Sequence, residues 1–210
     1  TAAPAGPVSW MGVKPGDRWN ALGRNLTIAI SLGTLAFLVL SGSPSVDLVV
    51  QALPLLPVIL LAAALNAFNE EVSYKASLLS VLVGPIGPRQ ALWMVAAYFG
   101  IAHFYGIPYG LIGVALAWFL GWILARSMLE TRGLAWAWFI HFVQDVLIFS
   151  FLALGSITPG GGCASGGADR HRPGTRLLGP HGEIGLQAEQ LVAGVDHARQ
   201  SRLAHAHVGE

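Results

Sequence analysis

Two adjacent carboxylates, Glu70 and Glu71, lie inside a long apolar run, with Leu60-Leu61-Ala62-Ala63-Ala64-Leu65 before them and Ala76 to Val83 after them. A desolvated charge costs several kcal/mol unless it is paired or neutralised. In a segment long enough to cross a bilayer, such acids must face a bundle interior or a watery cavity. The rest of the chain has to supply their partners.

Composition names the environment. Of 210 residues, 54% are hydrophobic and only 11% charged, against roughly 25% charged in soluble domains. That is the composition of a polytopic membrane protein whose partner is the lipid bilayer. A formal net charge of +1 excludes a nucleic-acid partner, which would demand a basic stripe. The single cysteine, Cys163, forbids an intrachain disulfide framework. The first residue is Thr1 rather than Met, as expected of a piece of something longer.

The predicted architecture is all-α, a transmembrane bundle of about five spanning helices, each needing ~20 apolar residues. Residues 1–21 read as a polar lead-in, with Trp10 and Trp19 as interfacial anchors. Residues 22–154 form the helical domain, with spans at Leu22–Leu40, Leu55–Val83, Arg89–Tyr105, Leu111–Leu129 and Leu134–Leu154. Ser45–Pro54 is an amphipathic connection or the start of the second span. Gly84-Pro85-Ile86-Gly87-Pro88 stops the long helix. Residues 155–210, rich in Gly, Ala and Arg, are expected to be a disordered tail. Five spans put Arg24, Arg89, Arg126 and Arg132 on one side, as the positive-inside bias requires; six would separate them. The expected location is the inner or plasma membrane, with a cytoplasmic N-terminus.

Few polar groups in the spans can partner the acids. They are His103, in Phe99-x-x-x-His103, and His141 with Asp145, in His141-x-x-x-Asp145. The i, i+4 spacing puts His141 and Asp145 on one helix face, and Glu71 and Lys75 on another. At 1.5 Å per residue, Glu70 lies about 20 Å from Val83, and His103 about 20 Å from Arg89. His141 and Asp145 lie about 13 and 20 Å from Arg132. Three helices therefore carry these groups at similar depth. Each has a plainer reading as well. A lone membrane histidine can serve as an interhelical donor, and Glu71 with Lys75 can be a structural ion pair. Glu70 has no such partner, because Lys75 is five positions away. The run Trp136, Trp138, Phe139, Phe142 reads as packing and anchoring.

Glu70-Glu71-x-x-x-Lys75, Phe99-x-x-x-His103 and His141-x-x-x-Asp145, in that order with one helix before the last, resemble the CAAX-protease and bacteriocin-processing (CPBP, or Abi) intramembrane endopeptidases. The resemblance covers about Leu55 to Leu154. That family's pattern has Arg where Lys75 stands, and often Asn where Asp145 stands. Lys neutralises a carboxylate but lacks the planar fork of Arg. The resemblance implies hydrolysis of a peptide bond in a membrane-associated peptide or prenylated protein, of the CAAX C-terminal type. The catalytic set would be Glu70, Glu71, His103, His141 and Asp145, with Lys75 and Phe99 as structural support. Glu70 would act as general base on a water held by His103, and His141 with Asp145 would stabilise the oxyanion. The resemblance also implies a metalloprotease label, with zinc held by His103, His141 and Glu70; a metal-free glutamate–histidine mechanism uses the same residues. Intramembrane acids also mark proton or cation transporters, and the Lys75 departure suits a catalytically silent scaffold or immunity protein. The shallower position of His141 predicts access from the Arg-rich side.

Overall fold

The computed structural model describes residues 3–157; the tail expected at 155–210 lies, beyond residue 157, outside the described residues. Among them, regular structure is helical apart from two isolated bridges, Pro4 with Arg18 and Val8 with Val13. Helix α1 spans Trp19–Gly42, and α2, Val46–Ala52, leads through a 3-10 turn at Leu53–Leu55 into α3, Leu56–Glu70. The chain continues without a break through a π-helical turn, Glu71–Ala76, into α4, Ser77–Ile86. Helices α5, Pro88–Ala102, α6, Leu111–Thr131, and α7, Ala135–Ile157, complete it. Ser45–Pro54 thus begins the second crossing.

Four segments are long and apolar enough to cross a membrane: Trp19–Gly42, Val46–Ile86, Leu111–Thr131 and Ala135–Ile157. The transmembrane helical bundle is as expected, and the difference from about five spans lies in α5. Helix α5 has 15 residues, about 22 Å at 1.5 Å each, short of the ~30 Å hydrocarbon core. It ends at Ala102 because Gly106 and Pro108 follow within two turns. Large aliphatic side chains such as Leu32, Leu40, Leu61, Leu65, Leu111 and Ile112 point outward. Only lipid makes that surface favourable.

The stretch read as a lead-in is built into the core. Ala5, Val8 and Val13 are buried, and Trp19 is only 1% exposed. Trp19 is therefore no interfacial anchor. Its Nε1 donates to Glu130 Oε2 at 2.8 Å, and Gly6 N donates to the same oxygen at 2.9 Å. Arg126 closes the clamp, donating to Glu130 Oε1 at 2.7 Å and to the Gly6 carbonyl at 2.6 Å. Trp10 stays 68% exposed while its ring meets Phe119 and Trp122. These contacts gather the start of α1 and the end of α6 at one end of the bundle. Trp136, from the first turn of α7, lies against Gly23 at the same end.

Helices α5 and α6 make the most extensive helix pair. They run antiparallel, since Trp93 meets Trp118 and Trp122 while Gly100 meets Val114 and Trp118. This brings Arg89, at the start of α5, toward the level of Arg126. Two glycines permit the approach. A Cβ on Gly100 would lie 2.8 Å from the Val114 carbonyl oxygen, and one on Gly121 would lie 2.8 Å from Phe99 Cδ1. Small residues serve membrane helices in this way, because backbones can then meet closely. Gly100→Ala is expected to cost about 1–3 kcal/mol, because the Val114 backbone cannot yield, and to lower the unfolding temperature in detergent. Gly33→Ala, with nothing within 4 Å, should leave that temperature equal or higher; equal behaviour of the two variants would refute the packing argument.

Candidate active site

The buried side of the second crossing recurs every fourth residue: Ile59, Ala63, Ala67, Glu71, Lys75, Leu79. In an α-helix a step of four overshoots a full turn by about 40°, so such a stripe winds off its face. The π turn corrects this. The Ser77 N–H reaches the Val72 carbonyl five residues back, and the wider turn rotates each residue by less. Glu71, Lys75 and Leu79 stay inward as a result. Sequence periodicity gave no sign of this turn.

Glu71 and Lys75 are both 0% exposed. Lys75 Nζ donates to Glu71 Oε1 at 2.7 Å, and His141 Nδ1 donates to the same oxygen at 2.6 Å. Glu71 Oε2 has no partner among the described residues. Lys75 Nζ also lies 3.2 Å from the centroid of the Phe99 ring, a cation–π contact in a desolvated setting. Phe99 in turn packs on the rings of His103 and His141, with centroids 4.3 and 5.8 Å away. The sequence reading assigned Asp145 to support His141. The Nδ1 contact goes to Glu71 instead, and Asp145 Oδ1 stands 3.6 Å from Nε2.

The end of α5 orients the other imidazole. His103 N bonds to the Gly100 carbonyl, tightening the last turn. The Phe99 carbonyl accepts from His103 Nδ1 at 2.7 Å, which satisfies one of the acceptors a helix C-terminus leaves open. A carbonyl can only accept, so Nδ1 carries the proton and Nε2 faces inward. Both Nε2 atoms then converge on one oxygen. Glu70 Oε2 lies 3.8 Å from His103 Nε2 and 3.6 Å from His141 Nε2, and it is buried without a hydrogen-bond partner.

Glu70 Oε1 accepts from Asn66 Nδ2 at 3.2 Å, and the same nitrogen donates to Asp145 Oδ2 at 3.1 Å. Asn66 escaped the sequence reading, although it stands one turn before Glu70. A second polar cluster also went unread: Thr34 donates to Gln144 Oε1 at 2.7 Å, and Gln144 Nε2 to Ser31 Oγ at 3.0 Å. It ties α1 to α7 beside the site. Trp138 reads as structural, its Nε1 donating to the Ala64 carbonyl at 3.1 Å and its ring stacking on Phe142.

Beside these groups lies a cavity of about 490 Å³, walled by α1, α6, α7 and the turn after α5. His103, His141, Gln144 and Asp145 line it, with Phe37, Leu38, Pro108, Gly113 and Ile148 toward the end away from the arginines. The expected entry from the Arg-rich side does not match this. That end is filled by the N-terminal segment, while α1 and α6 flank the cavity without packing closely together.

Two imidazoles and a carboxylate are zinc-type donors. Around a tetrahedral zinc, with ligands at ~2.1 Å, such atoms stand roughly 3.4 Å apart. Here they stand 3.6 and 3.8 Å apart. Among the described residues no group of three or more His, Cys, Asp or Glu is gathered as a metal ion requires. The donor types are those of the zinc site expected at His103, His141 and Glu70, and their separations are a few tenths of an ångström wider than such a site has.

Lys75→Met leaves Glu71 buried without its ammonium and is expected to cost about 3–5 kcal/mol of stability. Lys75→Arg, whose fork matches both carboxylate oxygens, should unfold at or above the wild-type temperature. Thermal unfolding in detergent checks both. A Lys75→Met variant as stable as wild type would remove the pairing from any structural role.

Residues 51–147 match the family model described as type II CAAX prenyl endopeptidase Rce1-like. Asn66, Glu70, Glu71, Lys75, Phe99, His103, His141 and Asp145 all lie inside that stretch. No curated protein and no solved structure matches the chain.

Proposed function

We propose, from the premise that residues 51–147 belong to the Rce1-like family of type II CAAX prenyl endopeptidases, that this chain cleaves a membrane-associated peptide with water activated by Glu70. The observation that carries the reading is the convergence of the Nε2 atoms of two cavity-lining imidazoles on Glu70 Oε2. The family match favours proteolysis over ion transport, although intramembrane acids serve both.

In the proposed reaction, a water between Glu70 Oε2 and His103 Nε2 gives a proton to Glu70 as its oxygen attacks the scissile carbonyl carbon. His103, its Nδ1–H committed to the Phe99 carbonyl, offers Nε2 as acceptor and positions the water. His141 has a carboxylate near each ring nitrogen, so it is placed to keep a proton on Nε2 and offer it as a hydrogen bond to the developing oxyanion. Collapse of the tetrahedral intermediate breaks the C–N bond, and Glu70 returns its proton to the departing amine. Glu71 touches neither substrate nor water in this scheme. It positions His141, and Lys75 holds Glu71.

The apolar walls at Leu26, Ile30, Phe37, Leu116 and Leu120 suit a substrate that arrives with its lipid, in keeping with CAAX-type C-terminal processing. The positive-inside bias sets the Arg-bearing end toward the cytoplasm. Glu70→Gln and His103→Ala should each reduce cleavage of a prenylated, membrane-anchored reporter peptide by at least about 100-fold, the lower range for a lost general base. Mass spectrometry in ¹⁸O-water should find one label in the new carboxylate. Wild-type turnover by either variant, or product without label, would overturn the scheme.

A further inference from the structure

Asn66 stands between two carboxylates that come from different helices, Glu70 on α3 and Asp145 on α7. An amide has two N–H donors and one carbonyl acceptor. The opposite orientation of the amide would set its carbonyl against both acids, so the chemistry requires the nitrogen to face them. One neutral group thereby separates a half-buried acid, Glu70, from a buried one, Asp145, and satisfies an oxygen on each.

The consequence lies in the other oxygen of Glu70. Oε1 is held by Asn66, and Oε2 is left without a hydrogen bond, 3.6 and 3.8 Å from the two imidazoles. A carboxylate free to rotate could bring either oxygen forward, or swing toward His141 and pair with it directly. We infer that Asn66 is a positioning residue for the hydrolysis, fixing which oxygen of Glu70 meets the water and holding Asp145 apart from it. The inference rests on Glu70 as the base, and it adds a residue that the E-E-x-x-x-K, F-x-x-x-H and H-x-x-x-D spacings do not contain.

The second contact is what separates this role from a local helix bond. Glu70 is one turn from Asn66 and such pairs are common on helices. Asp145 is 79 positions away. The amide therefore also sets the distance between α3 and α7 at the level of the site, and Trp138 makes a second tie between the same two helices by donating to the Ala64 carbonyl.

The test uses the full chain in detergent or nanodiscs with a prenylated, membrane-anchored reporter peptide. Asn66→Leu keeps the shape of the side chain and removes both donors. It should lower kcat about 10- to 100-fold with KM within about threefold and the unfolding temperature unchanged, as expected when a reacting group is misplaced by a fraction of an ångström. Asn66→Gln, which keeps the donors on a longer arm, should recover part of the loss, and Asn66→Asp, a third acid, should lose most. Wild-type kcat in Asn66→Leu, an effect confined to KM, or equal loss in the Gln and Leu variants would overturn the inference; the last comparison also decides it if Asn66→Leu folds poorly. If Glu70→Gln proves fully active, the base assignment fails. Infrared difference spectra of ¹³C-glutamate-labelled protein then judge Asn66 by itself: the Glu70 carboxylate band, identified by its loss in Glu70→Gln, should shift in Asn66→Leu, and an unmoved band refutes the contact.

Discussion

A single carboxylate oxygen, Glu71 Oε1, takes a proton donor from Lys75 and another from His141 in a place no solvent reaches. Two buried charges repay their desolvation only when geometry is good and further hydrogen bonds are made. That condition reaches outward. It fixes the phase of the second crossing, so the π turn is needed. It brings α7 against α3, so Trp138 finds Ala64. It places the Lys75 ammonium on the Phe99 ring, which in turn needs Gly121 bare beneath it. The paired acids differ accordingly: Glu71 is enclosed with Lys75 and His141, and Glu70 keeps an oxygen within 4 Å of both imidazoles.

Much of this could be read from the sequence because membrane burial makes polar residues conspicuous. Glu70, Glu71, His103, His141 and Asp145 stood out against apolar runs, and the three helices bring them together. The all-helical fold and the Glu71–Lys75 pair followed from the same logic. What escaped was of another kind. The length of α5 was not legible, because hydropathy reads on through His103 although the helix ends at Ala102. Trp19 looked like an anchor because a tryptophan near a helix start usually is one, and only its distant partner Glu130 makes it core. Asn66 and Gln144 are neutral amides that draw no attention until their partners, 79 and 113 positions away for Asp145 and Ser31, are in view. The π turn is a backbone property without a composition of its own.

Lys75, which stands where the pattern the sequence resembles has Arg, acquires a physical reading. Lys75 meets one oxygen of Glu71, and the second oxygen is unpartnered. An aromatic face takes up charge that a guanidinium would have shared with that oxygen. Orientation of Glu71 is then supplied by His141 as much as by the cation.

The clamp at Gly6 has a bearing on how the chain is assembled. Its two halves are separated by 120 and 124 positions, so the N-terminal segment leaves the ribosome long before Arg126 and Glu130 exist. Three of the four long apolar segments must be synthesised, in whole or in part, before that segment has anything to grip. The end of the bundle beside the arginines is therefore sealed late, by a segment made before any of the helices it closes over, and a nascent chain stalled before α6 would leave that end open.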